Sequence, residues 1–198
     1  PDRRPEKSRD QGEIDEILTK FGSELPYVYT ANISGAKIQL RTNSEHVSDF
    51  WQLNWYLADA KKAEGTVYVI NGLEGYEPHL FYNLDQRKIV IVNSEYYGAA
   101  KSAGALGLTG AILQERGGYP IHGGCVAIEK KGKNEGIIII APTGTGKTAQ
   151  SHELTYSLEN TKVHSDDYMF IFFDGELMAK ATEKQLYMRT DIAEEHPT

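Results

Sequence analysis

Residues 136–148 read Gly-Ile-Ile-Ile-Ile-Ala-Pro-Thr-Gly-Thr-Gly-Lys-Thr, and this stretch decides the fold of the chain. The isoleucines are typical of a buried β-strand, and the glycine-rich turn leads into residues 149–154, which can begin a helix. Strand, turn and helix are the context in which such a turn binds phosphate, although Ala141 stands where the strict motif has its first glycine. The alternative is a helix-capping Gly-Thr turn beside an incidental lysine, and the flanking strand and helix argue against it.

Each part of this loop has a task in binding a nucleotide. Glycines let backbone N–H groups approach phosphate oxygens where a side chain would block them. The N-terminus of the following helix adds partial positive charge. Lys147 can neutralise the β- and γ-phosphates of ATP, and the Thr148 hydroxyl can ligate Mg²⁺. The residues predicted to bind the nucleotide are Thr143, Gly144, Thr145, Gly146, Lys147 and Thr148.

The composition of the chain narrows the classes of protein to which it can belong. Its 198 residues can bury one good core or two small ones. A net charge of −7 and a pI near 5.4 argue against binding to nucleic acid, which needs a basic face. No apolar run approaches membrane length and no signal core is present, so we expect no membrane association and a cytoplasmic location. The single cysteine, Cys125, excludes an internal disulfide and a multi-cysteine zinc site.

We expect an α/β protein, α+β overall, in three parts. Residues 1–12 are polar and charged, which predicts a flexible arm. Residues 13–96 predict a β-rich N-terminal region, because short β-branched or aromatic runs alternate there with turn residues. Residues 97–198 predict the phosphate-binding region, which we expect to be either a minimal unit or part of a larger one.

Helices and strands can be placed within these parts. Apolar spacing predicts helices at Glu13–Phe21 and around Val47–Ala63. A third helix is predicted at Tyr97–Glu115, and its glycines indicate close packing against a neighbouring backbone. Strands of the β-rich region are predicted at Tyr27–Tyr29, Ala36–Leu40, Thr66–Ile70, His79–Tyr82 and Ile89–Val92.

A histidine is predicted to lie near the phosphate-binding loop. Residues 121–128 read as one strand, and the polar, glycine-containing residues 130–134 suit a hairpin to the isoleucine strand. This pairing would hold His122 at a strand end beside the loop. Taken alone, His122 is more commonly a hydrogen-bonded structural histidine, and its position in this order favours a functional role.

Two acidic residues and one arginine complete the candidate site. Asp166 and Asp167 come at the start of a strand after the loop helix, where one carboxylate can organise Mg²⁺ and the other can accept a proton from an attacking hydroxyl. An Asp-Asp pair alone is usually a solvated turn or a helix cap. Arg189 can bring a cation to the transferring phosphoryl group, or it is a surface salt-bridge partner.

These motifs together resemble a known catalytic core. His-Gly, hairpin, Gly-Thr-Gly-Lys-Thr, helix and Asp-Asp follow one another as in HPr kinase/phosphorylase and phosphoenolpyruvate carboxykinase. The segment 121–123 resembles the histidine segment of the kinases, while residues 143–148 are similar to the carboxykinase loop. Residues 165–167 suit either. The resemblance covers residues 119–195, and it implies a P-loop core of this superfamily.

The resemblance also implies roles for single residues. Lys147 would bind the β- and γ-phosphates, and Thr148 would bind Mg²⁺, with Mn²⁺ as an alternative metal. Asp166 would be the acid/base residue and Asp167 would lie nearer the metal, with an exchange of the two left open. His122 would either assist catalysis beside that carboxylate, as in the kinases, or ligate metal, as in the carboxykinases.

The chain also departs from the family pattern. The kinase signature has Glu two residues before an arginine and Gly directly after it, whereas Tyr187 and Thr190 occupy those places around Arg189. This departure argues against phosphorylase activity and a second metal contact. Oxaloacetate-binding residues of the carboxykinases cannot be located.

Three classes of function therefore remain open. The first is an ATP-dependent kinase that acts on a hydroxyl of a protein, a peptide or a small molecule. The second is a carboxykinase-like lyase, and the third is a non-catalytic nucleotide-binding module that switches a partner. The sequence favours the kinase but does not identify the molecule that accepts the phosphoryl group. Assembly into a homo-oligomer is left open.

Overall fold

The computed structural model describes residues 4–59 and 62–184 of the chain. It divides the chain into two compact units, Pro1–Arg116 and Gly117–Thr198. The helices are α1 (Glu13–Phe21), α2 (Glu45–Asn54), α3 (Gly107–Gln114) and α4 (Lys147–Ser157), with a 3₁₀ turn at Gly22–Glu24 and a π-helical segment at Ala99–Leu106. The strands are β1 (Glu6–Arg9), β2 (Tyr27–Ile33), β3 (Ala36–Thr42), β4 (Tyr56–Leu57), β5 (Gly65–Ile70), β6 (His79–Asn83), β7 (Lys88–Val92), β8 (Gly118–His122), β9 (Gly124–Lys130), β10 (Lys133–Ile139), β11 (Thr161–Ser165), β12 (Tyr168–Asp174) and β13 (Glu176–Ala181). The predicted mixed α/β architecture is confirmed.

The first unit is built on one mixed sheet of seven strands in the order β1-β6-β7-β5-β3-β2-β4. Its central strands β3, β5 and β7 run parallel, and such strands require cover on both faces. Tyr68 packs with α1 in an apolar cluster, whereas the neighbouring Val67 approaches Gly104 of the π-helical segment. Adjacent strand residues point to opposite faces, so helices cover both sides of β5.

The second unit consists of two small antiparallel sheets and one helix. The strand orders are β10-β9-β11 and β13-β12-β8. The β9–β10 connection has Lys131 and Gly132 at φ 53° and 76°, the left-handed pair of a two-residue hairpin. The expected hairpin to the isoleucine strand is therefore present. Helix α4 packs closely against β9. A Cβ on Gly124 of β9 would come within 2.4 Å of the hydroxyl oxygen of Ser151 on α4.

Three predicted boundaries differ from the structure. Residues 6–9 of the expected arm form β1, which pairs in parallel with β6. The second helix ends at Asn54 and does not reach Ala63, because the chain becomes extended at Trp55 and β4 pairs with β2. The second unit begins at Gly117 and not at Tyr97, because the π-helical segment packs on β5 of the first unit.

The predicted strand at residues 121–128 is also divided. It breaks at Gly123 into β8 and β9, which belong to different sheets, and only β9 pairs with the isoleucine strand β10. His122 therefore ends β8, where its backbone pairs with Tyr168 of β12. The histidine still lies at a strand end, but a different strand holds it there.

The packing of the glycine-rich helical stretch can be tested with two alanine substitutions. A Cβ on Gly104 would meet Val67 Cγ1 at 3.0 Å, whereas a Cβ on Gly107 would meet its nearest neighbour, the Ser102 carbonyl oxygen, at 3.6 Å. Gly107→Ala should stabilise the protein by up to about 1 kcal/mol through helix propensity. Gly104→Ala should be less stable than Gly107→Ala by about 1–3 kcal/mol because of overpacking. Denaturant unfolding checks this difference, and equal stability of the two variants would contradict the close contact.

Candidate active site

The glycine-rich loop connects β10 to α4 and has the backbone of an anion cradle. Gly144 and Gly146 have φ values of 82° and 89°, a left-handed conformation that favours glycine. Apart from the adjoining residues, no described residue has a heavy atom within 4 Å of a Cβ built on either glycine, so the space beside both is open. The Thr145 hydroxyl donates to the Pro142 carbonyl at 2.7 Å and fixes the turn. Helix α4 begins directly after Gly146, so its first N–H groups lack intrahelical acceptors.

Lys147 is the buried cation of this loop. Only 9% of the residue is exposed, although the loop residues 142–146 are themselves exposed. Its ammonium group donates to the carbonyl oxygens of Ala141 at 2.9 Å and Pro142 at 3.2 Å. These two carbonyls accept from the ammonium but are neutral, so they do not neutralise its charge. A phosphate oxygen would offer the same ammonium a stronger, charge-assisted bond.

Asp166 lies beside the start of α4. The Thr148 hydroxyl donates to Asp166 Oδ2 at 3.3 Å. Asp166 Oδ1 is buried, and no described residue hydrogen-bonds to it. Burial raises the pKa of the Asp166 carboxyl above its ordinary value, while the Thr148 hydrogen bond and the charges of His152 and Lys147 oppose this rise. The neighbouring Asp167 charge adds to it. An unsatisfied, half-buried carboxylate oxygen is what a bound cation or a proton would satisfy.

Asp167 has different surroundings. His122 Nε2 lies 3.1 Å from Asp167 Oδ1, and about half of each side chain is exposed. The backbone holds the pair in place, because Gly123 N–H donates to the Asp167 carbonyl at 3.1 Å. The two adjacent acids thus have separate partners: Asp166 faces the loop threonine, and Asp167 faces the histidine.

The backbone between β11 and β12 explains this separation. Asp166 and Asp167 were expected at the start of a strand, but they form the bend between two strands. The β11 register against β9 shifts between Val163 and Ser165, an irregularity that can redirect side chains beside active sites. The Ser165 hydroxyl then donates to the Tyr168 carbonyl at 2.8 Å and closes the bend.

His152 is a residue at this site that the sequence analysis missed. It lies on α4, is buried, and its charge acts on the Asp166 carboxyl. The sequence did contain a signal, because Thr148 and His152 are separated by four positions and so share one face of the helix.

The other predicted site residues lie in three places. Thr143 to Gly146 lie in the exposed loop, Thr148 lies in the first turn of α4, and Arg189 lies outside the described residues.

The chemistry of these groups fits a magnesium-bound nucleotide. Within residues 4–59 and 62–184, no group of three or more His, Cys, Asp or Glu could hold a metal by itself. Mg²⁺ in nucleotide sites typically needs only one or two protein oxygens, since phosphates and water supply the rest. The Thr148 hydroxyl and Asp166 Oδ1 could provide such a pair.

Comparisons with known proteins assign this chain to no family. The chain matches no protein-family model, and no curated protein sequence matches it. Among the helices of residues 4–59 and 62–184, none combines the length and the apolar character needed to cross a membrane. The resemblance to the HPr kinase and carboxykinase core therefore stays a prediction.

The raised pKa of Asp166 predicts a pH-dependent stability. Because burial raises this pKa in the folded state, ionisation costs the fold stability as pH rises through the folded pKa, and the cost vanishes below the unfolded value of about 3.9. Asp166→Asn should therefore raise the thermal midpoint of the full chain at neutral pH, and this gain should shrink as pH falls toward about 4. Calorimetry at several pH values measures it.

Asp167→Asn is the matched control for this experiment. Its side chain is half exposed, so loss of its pairing with His122 should change the stability by less than about 1 kcal/mol. An unchanged or lower midpoint for Asp166→Asn at neutral pH would contradict a destabilising buried carboxylate.

Proposed function

We propose that this chain is an ATP-dependent kinase that transfers the γ-phosphoryl group to a hydroxyl, with Mg²⁺ as the metal. The observation that carries the proposal is the arrangement around the first turn of α4. A buried lysine, a threonine hydroxyl and a half-buried carboxylate converge on a loop whose glycines have left-handed backbones. Such a loop suits phosphate groups, and the carboxylate suits the metal that accompanies them.

The hydrogen bonds favour an exchange of the roles that the resemblance implied for the two acids. Asp166 accepts from Thr148, so these two residues are the better pair to hold Mg²⁺. Asp167 is exposed and next to His122, so it is the better group to meet an acceptor. Mg²⁺ would supply charge neutralisation on the phosphates. His122 contacts Asp167, so in this proposal it assists Asp167 and does not ligate the metal.

The proposed chemistry uses these residues as follows. The oxygen of the acceptor hydroxyl forms the new bond to the γ-phosphorus. Asp167 accepts the proton that this hydroxyl loses. Lys147 stabilises the charge that develops as the bond from that phosphorus to the bridging oxygen breaks and ADP leaves. His122 orients the Asp167 carboxylate through the 3.1 Å contact. A protein or peptide serine, or a small-molecule alcohol, can supply the hydroxyl, and we place the reaction in the cytoplasm.

Direct assays distinguish the proposed kinase from two other functions, a carboxykinase-like lyase and a nucleotide-dependent switch. Manganese-dependent consumption of oxaloacetate would identify a carboxykinase-like lyase. Binding of Mg·ATP without phosphotransfer to any acceptor would identify a nucleotide-dependent switch. The decisive assay incubates the full chain with γ-labelled ATP, Mg²⁺ and a cell extract, and compares it with the Asp167→Asn variant.

Removal of the loop lysine tests nucleotide binding. Lys147→Ala deletes the buried ammonium, so it should weaken the affinity for a fluorescent ATP analogue at least about tenfold and lower phosphotransfer by about two to three orders of magnitude. Lys162→Ala, at an exposed position on β11, is the matched control and should behave as the wild type. Unchanged binding and turnover in Lys147→Ala would remove the phosphate-binding assignment.

Substitution of each acid by asparagine tests the division of roles. Asp167→Asn should keep Mg·ATP affinity within about twofold of the wild type and lower kcat by about two to four orders of magnitude, as expected for a lost general base. Asp166→Asn should weaken Mg·ATP binding and raise the Mg²⁺ concentration needed for half-maximal activity. Titrations with and without Mg²⁺ measure both effects. The converse pattern would return the base to Asp166, and full activity in both variants would exclude this site.

A further inference from the structure

The strand β13 forms one edge of its sheet. It pairs on one side with β12 in an unbroken register from Asp174↔Glu176 to Met169↔Ala181. In the part of the chain that the structure describes, no strand pairs with the other side of residues 176–180. An edge with a regular register presents a row of backbone donors and acceptors to another strand.

The centre of this edge is apolar and exposed. Leu177 is 58% exposed and Met178 is 46% exposed, and both lie in the middle of the strand. Natural edges are blunted by proline, by a bulge or by charged side chains, lysine above all. In β13 the charged residues Glu176 and Lys180 have opposite signs and flank the apolar centre, so a partner strand must offer the complementary charges.

The sequence of β13 is complementary to itself. In an antiparallel pair of two identical strands with the two-fold axis at Met178, Glu176 of each copy lies opposite Lys180 of the other. Leu177 then lies opposite Ala179, and the two Met178 side chains meet at the axis. Opposite charges directly across a strand pair are favourable, and both charged pairs form in this single register.

Another edge strand, β10, lacks this charge pattern. Its Glu135 already pairs with Lys130 of β9 at 2.9 Å, within the same hairpin. In β13, the ammonium of Lys180 lies 4.5 Å from the centre of the Phe172 ring on the same sheet, which orients it without neutralising its charge. The charges of β13 therefore remain available to a partner strand.

We propose that β13 is a dimerisation edge of this protein. Two copies of the chain pair through β13 about a two-fold axis at Met178, and their three-stranded sheets join into one sheet of six strands. This inference does not depend on the proposed kinase activity, because none of these residues belongs to the candidate active site.

Charge reversal on the full chain tests the register. Glu176→Lys and Lys180→Glu each replace two attractive cross-strand pairs of the dimer with two repulsive ones, so each single variant should raise the dimer dissociation constant at least about tenfold. The double variant Glu176→Lys/Lys180→Glu restores opposite charges and should return to within about threefold of the wild type. Sedimentation velocity at low salt measures the constants.

Mixing provides an independent readout. An equimolar mixture of the two single variants should form heterodimers, because the two lysines of one chain then lie opposite the two glutamates of the other. Energy transfer between labelled chains detects these heterodimers. Lys162→Glu on β11 is the control and should dimerise as the wild type does. Circular dichroism verifies that every variant is folded. A wild type that stays monomeric at about 200 μM, or single reversals that dimerise as the wild type, would overturn the proposal.

Discussion

The candidate site depends on one close approach of backbone to backbone at Gly123. A Cβ at this position would come within 2.6 Å of the Ile139 carbonyl oxygen, so only glycine leaves room for the last residue of β10. The N–H of the same glycine donates to the Asp167 carbonyl at 3.1 Å. One residue thus joins the histidine segment, the strand that enters the phosphate-binding loop and the bend that carries the acids. Any larger side chain would push these three segments apart.

The candidate site contains buried polar groups that do not stabilise the fold. Within residues 4–59 and 62–184, one buried oxygen of Asp166 has no hydrogen-bond partner, and burial opposes the ionisation of this carboxyl. Within the described residues, the buried Lys147 ammonium donates to two backbone carbonyl oxygens. A bound cation would satisfy the Asp166 oxygen, and a bound anion would give Lys147 a charged acceptor, so ligands of these kinds would stabilise the fold. The fold tolerates these buried polar groups because the cores of both units lie elsewhere, among aliphatic and aromatic side chains.

Local signals in the sequence were sufficient for part of this structure. The Lys131-Gly132 turn, the left-handed glycines of the loop and the short strands of the first unit follow from residue type and alternation. The break at Gly123 could not be predicted in this way, because it results from a contact with Ile139 that is distant in sequence. The unit boundary was misplaced for a related reason. The glycine-rich stretch is helical by local pattern, but its packing against Val67 assigns it to the first unit.

The two aspartates show why adjacency in sequence does not decide chemical role. On a continuous strand, alternation alone would send them to opposite faces. In the bend, their separation arises instead from two different partners, the Thr148 hydroxyl and the His122 ring. The partner of each acid lies on a different element, α4 for Asp166 and β8 for Asp167. Because α4 starts at the glycine-rich loop, the acid that accepts from α4 is the one held beside that loop. The acid that contacts the half-exposed histidine is the more exposed of the two, so the bend gives the two adjacent carboxylates different surroundings.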